Sequence, residues 1–225
     1  GNPDLKPEES WSYELSTTLK LADAANLTVG LFYTDFKNML DQENIGKETI
    51  DNKQFDATKE INHGKVTANG LEVLLNTASF HGFRFTGGYT YTHAEIKEGA
   101  WSKRGGDWAN SPSKRPNELP RHSLTARIDY EWNDFSAYVK SVSKFDSEQQ
   151  NTKGGPNVDK YKNYTLVDLG ASYVFKRQHR FSVAIKNIFD TGLEWVPSVT
   201  ADSYANAYKE YIDGRNFWFS YAYSF

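Results

Sequence analysis

The 225-residue sequence contains no cysteine, a single methionine and no long apolar run. Without cysteine there is neither a disulfide framework nor a thiolate zinc module. No stretch approaches the ~18 consecutive apolar residues of a membrane-spanning helix, and Gly1-Asn2-Pro3-Asp4 does not read as a signal peptide. A basic excess is missing too. The 26 Lys and Arg against 29 Asp and Glu leave a formal charge of −3, which argues against a nucleic-acid partner. Catalytic constellations are equally scarce. The histidines, His63, His81, His93, His122 and His179, are scattered. His93 and Glu95 share one face of a strand but lack the further ligands that a metal site needs. His122 and Ser123 point to opposite faces, so they cannot form a proton relay with Asp129. Gly105-Gly106 and Gly154-Gly155 are not followed by the Lys-Ser/Thr of a phosphate-binding loop. The sequence predicts neither an enzyme nor a resident metal or cofactor.

What is present is aromatic. Six Trp, 14 Tyr and 14 Phe make 15% of the chain, too many for disorder, while the mean hydropathy stays at −0.70. These residues recur with a period of two. Phe217, Phe219, Tyr221, Tyr223 and Phe225 alternate with Trp218, Ser220, Ala222 and Ser224, which gives one aromatic and one mainly small or polar strand face. The same alternation runs through segments centred near Leu15, Phe85, Ala126, Leu169 and Val183. The segment around Val73 is less regular, because Val66 and Ala68 fall on the other parity. A bulge at Gly70 is expected there. About nine strands result, each long enough for the roughly 9–11 residues that cross a bilayer at a tilt.

Short connections (Ala22 to Asn26, Ala78 to Gly82, Trp132 to Asp134, Lys176 to His179) alternate with long polar ones (Asp41 to Thr58, Lys97 to Glu118, Asp146 to Lys162, Thr191 to about Lys209). A soluble sandwich has no reason to keep that order. An outer-membrane barrel does, with short periplasmic turns and long outward loops. The fold expected is therefore all-β, an antiparallel transmembrane β-barrel wall. Trp11, Tyr13, Trp132, Tyr173 and Trp218 lie near strand ends, where interfacial girdles sit. An odd strand count conflicts with a complete bacterial barrel. A small complete porin or adhesin barrel and a water-soluble binding sandwich are the rival readings.

Four segments resemble TonB-dependent outer-membrane receptors, in that family's order and spacing: Gly1-Asn2-Pro3-Asp4-Leu5-Lys6-Pro7-Glu8 with Tyr13-Glu14-Leu15; Asn69-Gly70-Leu71-Glu72; Asn187-Ile188-Phe189-Asp190; and Gly214-Arg215-Asn216-Phe217-Trp218 through Phe225. The match is closest to the ferric-catecholate and colicin-receptor branch. The resemblance implies a barrel of about 22 strands filled by a plug. Residues 1–225 would form the carboxyl-terminal part of its wall, with the plug, the amino-terminal strands and the TonB-contacting box absent. It also implies a bacterial outer-membrane location and uptake of an iron complex as cargo, not as a cofactor. A ferric catecholate siderophore is favoured and haem is the alternative, since Asn2-Pro3-Asp4-Leu5 is also similar to the box of haem receptors. Further implied partners are outer-membrane lipids and lipopolysaccharide, TonB through the missing region, the barrel-assembly machinery, and a colicin or phage. No nucleic acid is expected.

One outward loop carries Trp101, Lys103, Arg104, Trp108, Lys114 and Arg115. Its cations would attract an aromatic trianion and its rings would stack on it. The plainer reading is a solvated loop that meets lipopolysaccharide phosphates or nothing. Tyr204, Tyr208, Tyr211 and Arg215 form a second candidate set. Phe225 is expected to act as an assembly signal. Arg121, Arg127, Lys140, Lys144 and Lys186, opposite Glu14, Glu72, Asp129 and Asp168, are expected to form a polar network along the lumen wall.

Overall fold

A computed structural model describes residues 2–50, 53–98, 114–116, 119–150, 158–160, 163–192 and 212–225. It contains β1 (Glu9–Leu21), β2 (Ala25–Ile50), β3 (Lys53–Thr77), β4 (Phe83–Glu98), β5 (His122–Trp132), β6 (Phe135–Phe145), β7 (Glu148–Gln150), β8 (Val158–Lys160), β9 (Tyr164–Phe175), β10 (His179–Lys186) and β11 (Asn216–Tyr223). Nine of these form one antiparallel sheet in the order β1-β2-β3-β4-β5-β6-β9-β10-β11, and β7 and β8 make a separate small hairpin. Every strand pairs with its sequence neighbour once that hairpin is set aside. This is the up-and-down order expected of a barrel wall.

The register carries one parity across all nine strands. Leu15 faces Leu31, Leu31 faces Leu71 and Leu71 faces Tyr91. Tyr91 faces His122, and the row below it runs Phe85, Ile128, Val139, Leu169, Ile185 and Phe217. This face is apolar and exposed: Leu15 is 74%, Val183 54% and Phe219 69% accessible. The opposite face carries Glu14, Glu72, Arg84, Arg127, Asp129, Lys140, Asp168 and Lys186, assigned by the same register. Among the described residues only Ala94 is a buried hydrophobic. Apolar surface this extensive is compatible with a hydrocarbon solvent and not with water.

Short turns close one end of the sheet. His81-Gly82 and Lys176-Arg177 hold both central residues at positive φ, 49° and 84° in the first and 50° and 60° in the second. Two left-handed residues match the right-handed twist of the flanking strands.

Three expectations need correction. Asp41 to Thr58 is not a loop: the β2–β3 ladder continues to the pair Ile50↔Lys53, interrupted only by register shifts near Phe36, Met39 and Gly46. This stretch lacks alternation in sequence, which is what a two-stranded ribbon projecting beyond the membrane into water would show, so periodicity could not find it. Gly70 is not a bulge. It pairs regularly with Phe32 and Thr92, and Val66 and Ala68 simply point to the charged face. Glycine is required there because a Cβ would collide with the Tyr91 carbonyl oxygen and the Phe32 ring. Trp218 is not in the outer girdle. It pairs with Ala184 on the charged face and donates its indole N–H to Asn216.

Gly70→Val should therefore destabilise the folded protein by about 1–3 kcal/mol, the usual range for overpacking. A lower temperature for loss of the compact band on electrophoresis would show it, and an unchanged temperature would refute the close-approach role.

Candidate functional site

The long-connection end of the sheet is organised by three polar clusters. In the first, the segment before β1 lies along the β2–β3 ribbon. The Asn62 side-chain amide donates to the Lys6 carbonyl (2.8 Å) and the Asn38 carbonyl (2.7 Å). Its oxygen accepts the Lys6 N–H at 2.6 Å. Glu8 accepts the Leu40 N–H at 2.8 Å, at the point where the ladder shifts register and Asn38 turns left-handed (φ 55°). Backbone groups that the irregular ladder leaves without cross-strand partners are thus satisfied by side chains.

The second cluster joins the β4–β5 and β6–β9 connections. Arg115 reaches Glu148 at 2.9 Å and Asp146 at 3.4 Å, and it also donates to the Asp146 carbonyl. Arg121 meets the other oxygen of Asp146 at 3.2 Å. Arg115 is only 12% exposed, so its guanidinium serves as a staple between loops. Nearby on β4, Lys97 donates to Glu95. That hydrogen bond is the main cause holding the Glu95 carboxyl below its ordinary pKa, with the positive charges of Lys97, Lys114 and His93 adding to it.

The third cluster is built from Asn187-Ile188-Phe189-Asp190. Asn187 is 4% exposed. Its side chain accepts the Thr191 N–H at 2.9 Å and donates to the carbonyls of Thr191 and Asp213 at 3.0 Å each. Its own N–H goes to Asp168 on β9 at 2.9 Å. Asp190 accepts the Arg215 N–H at 2.7 Å. Asn187 and Asp190 both have positive φ, 50° and 54°, a conformation Asn and Asp tolerate better than other residues with a Cβ. The motif thus ties the exit of β10 to β9 and to the entry of β11.

On the charged face, Arg127 binds Asp129 through Nε at 2.8–2.9 Å and Nη2 at 2.6 Å, and its guanidinium lies 4.2 Å from the centre of the Tyr138 ring. The Tyr138 ring covers Gly170, where any Cβ would strike it. Lys186 sits 5.0 Å from the Trp218 ring. Between Tyr138 and Trp218, Ser136, Ser172, Ser182 and Ser220 line up across four strands beside a hollow of about 330 Å³. A larger hollow of about 570 Å³ opens beside Glu14, Glu72 and Phe32. Among the described residues Glu14 and Glu72 form no ion pair. The expected wall network therefore exists around Arg127 and Asp129, while the acidic pair stands apart from it.

Trp101, Lys103, Arg104 and Trp108, and Tyr204, Tyr208 and Tyr211, lie outside the described residues. Lys114 is exposed, and its carbonyl accepts the Ile96 N–H at 2.7 Å. Arg215 is exposed beside the Asp190 clamp, and Phe225 is fully exposed with its ring 6.0 Å from that of Tyr223. No group of three or more metal-binding side chains occurs among the described residues. Reasoning from sequence missed Asn62, Asp146 and Glu148, because their partners are backbone groups or distant loops that no local spacing reveals.

A family model described as TonB dependent receptor-like, beta-barrel, matches residues 1–188. The iron-regulated outer membrane virulence protein of Vibrio cholerae serotype O1 is 26% identical over 223 residues, covering 97% of this chain and 31% of that protein. The catecholate siderophore receptor Fiu of Escherichia coli (strain K12) is 24% identical over 203 residues, covering 89% of this chain and 24% of the receptor. The closed-form crystal structure of Fiu, the ferric-catecholate import receptor from K12 E. coli, superposes with a TM-score of 0.66 at 22% identity, over 100% of this chain and 29% of the other. The chain thus spans less than a third of the length of these relatives.

Asn187→Ala should cost roughly 1–3 kcal/mol for each buried group left unpaired, lowering the unfolding midpoint of the intact protein. Asp190→Ala, which strands only an exposed N–H, should cost less. Equal, negligible effects of both would remove the clamp.

Proposed function

We propose a function for a chain that belongs to the TonB-dependent receptor-like β-barrel family, a family of outer-membrane transport receptors and not of enzymes. The chain supplies part of the wall of a receptor that takes up a ferric siderophore, with catecholates favoured. The observation that carries this reading is the division of the two faces. Apolar residues meet lipid, and the other side presents Arg84, Arg127, Lys140 and Lys186 on β4, β5, β6 and β10 among the acids Glu14, Glu72, Asp129 and Asp168, a charged lining that suits a polar transport lumen. Haem is disfavoured by the histidines. His93, His122 and His179 share the lipid-facing parity, where His122 accepts or donates to the Tyr89 hydroxyl at 2.8 Å and His179 to that of Tyr221 at 2.9 Å. His81 sits in a short turn. None of these four faces the lumen, and the side chain of His63 lies outside the described residues. Related receptors named for catecholate siderophores support the same choice.

In this reading Trp101, Lys103, Arg104, Trp108 and Lys114 attract and stack on the complex, with Tyr204, Tyr208, Tyr211 and Arg215 as a second set. Arg115 instead holds the loop base through Asp146 and Glu148. Glu14 and Glu72 face the plug, TonB acts through a region outside this chain, and a colicin would use the outward loops.

Titration of the full-length receptor with ferric catecholates and with haem tests the assignment. Neutralising Lys103, Arg104 and Lys114 together should weaken catecholate binding and flatten its salt dependence, because screened attraction is lost. Unchanged binding would reduce the loop to a solvated surface, and a receptor that binds haem and ignores catecholates would overturn the ligand. Arg115→Gln should act mainly on loop stability. Deleting Phe225 should lower the membrane-inserted yield in cells if the barrel-assembly machinery reads the terminal aromatic; full insertion would leave it a lipid anchor only.

A further inference from the structure

The lipid-facing side of the sheet is not uniform. Its bulky residues give way at Ala137 and Ala171, which pair with each other between Tyr130 and Val183. The result is a groove of about 370 Å³ whose lining is almost wholly apolar, bounded further in by Val139 and Leu169. Toward the short-turn end of the sheet, Tyr173 and Phe181 and then Phe175 and His179 follow on the same face. The turn itself is Lys176-Arg177, closed by the Gln178 N–H on the Phe175 carbonyl at 3.2 Å. Lys176 holds its ammonium 5.2 Å from the centre of the outward Phe175 ring, and Arg177 is exposed. Both have positive φ, 50° and 60°, where Asn-Gly would sit without strain. Two cations stand where Asn-Gly would be less strained, as His81 does in the β3–β4 turn, so the turn can be replaced without loss of the hairpin.

We infer that this column binds one diacyl phospholipid with an anionic headgroup from the periplasmic leaflet: Lys176 and Arg177 hold the phosphate, and the Ala137–Ala171 groove takes an acyl chain. The spacing fits. Ala171 lies five residues from Lys176, about 16 Å along a strand and about 11 Å in depth at a tilt near 45°, within one hydrocarbon leaflet of about 15 Å. The charge fits as well. Arg180 on the lumen parity adds a third positive group, while the negative groups nearest this turn are Asp134, on the neighbouring turn where its carbonyl takes the Val174 N–H, Glu131 on the lumen side, and the Phe225 carboxylate, whose neighbour Ser224 donates its N–H to the Gln178 carbonyl at 2.9 Å. The inference rests on the reading of the wall as an outer-membrane receptor with its short turns on the periplasmic side.

The full-length receptor, purified in mild detergent with equal phosphatidylglycerol and phosphatidylethanolamine, is weighed intact by native mass spectrometry. Retention should favour phosphatidylglycerol by on the order of tenfold or more, as two interfacial cations typically give. Lys176→Asn with Arg177→Gly should bring that ratio near one while the unfolding temperature holds or rises, because the turn is relaxed. Ala137→Leu with Ala171→Leu should lose both lipids. A preference that survives the turn replacement, lipid retention that survives the filled groove, or retention of lipopolysaccharide in place of phospholipid would each overturn the proposal. Ferric-siderophore titration of the same samples reads the transport assignment separately: its failure beside intact lipid selectivity would sink the cargo, not the lipid site.

Discussion

The constraint on which everything else depends is backbone hydrogen bonding in a medium without water. Hydrocarbon offers no partner to an N–H or a C=O, and each unpaired group there costs several kcal/mol. The response is an antiparallel ladder that runs through nine strands with register shifts confined to the β2–β3 ribbon and its junction with β4. Where the ladder breaks, polar side chains replace it. Glu8 and Asn62 serve the shifted β2–β3 ribbon, and Asn187 and Asp190 serve the gap between β10 and β11. Two family motifs therefore have a structural explanation: they satisfy backbone where strands must end or bend.

Once the ladder is fixed, side chains have only two destinations. One parity goes to lipid: leucine, valine, isoleucine and phenylalanine recur along its middle rows, interrupted by small residues such as Gly87, Ala126 and Ser141, and tyrosine, tryptophan and histidine lie toward the ends. The outward histidines sit beside tyrosines and hydrogen-bond to them, which keeps a polar ring satisfied at an interface. The other parity carries the charges. Arg127, Asp129 and Tyr138 interlock over Gly170, whereas Glu14 and Glu72 form no ion pair among the described residues and share the same hollow.

Much of this was legible in the sequence, and the reasons for the failures are physical. Alternation marks a strand only where its two faces meet different solvents, so β1, β4, β5, β9, β10 and β11 could be read, and Asp41 to Thr58, whose sequence does not alternate, could not. Gly70 looked like a bulge because the residues before it break the apolar parity; the Phe32 ring that forbids a side chain there comes from another strand. Trp218 looked like a girdle residue because it lies near a strand end, although its parity already set it opposite the aromatic face. The partners of Arg115 could not be read, because Asp146 and Glu148 are about thirty residues away in sequence and meet it only in the fold.

The central claim is the assignment of the two faces, since transport, cargo charge and lipid contact all follow from it. The absence of cysteine from these 225 residues leaves each introduced thiol unique within this part of the wall. Spin labels attached through single cysteines at Leu124, Val139 and Val183, and at Thr125, Lys140 and Ser182, can be compared in the full-length receptor in lipid bilayers. The account predicts strong broadening by bilayer-dissolved oxygen at the first three and weak broadening at the second three. Equal oxygen access at both sets, or greater access at Thr125, Lys140 and Ser182, would contradict it.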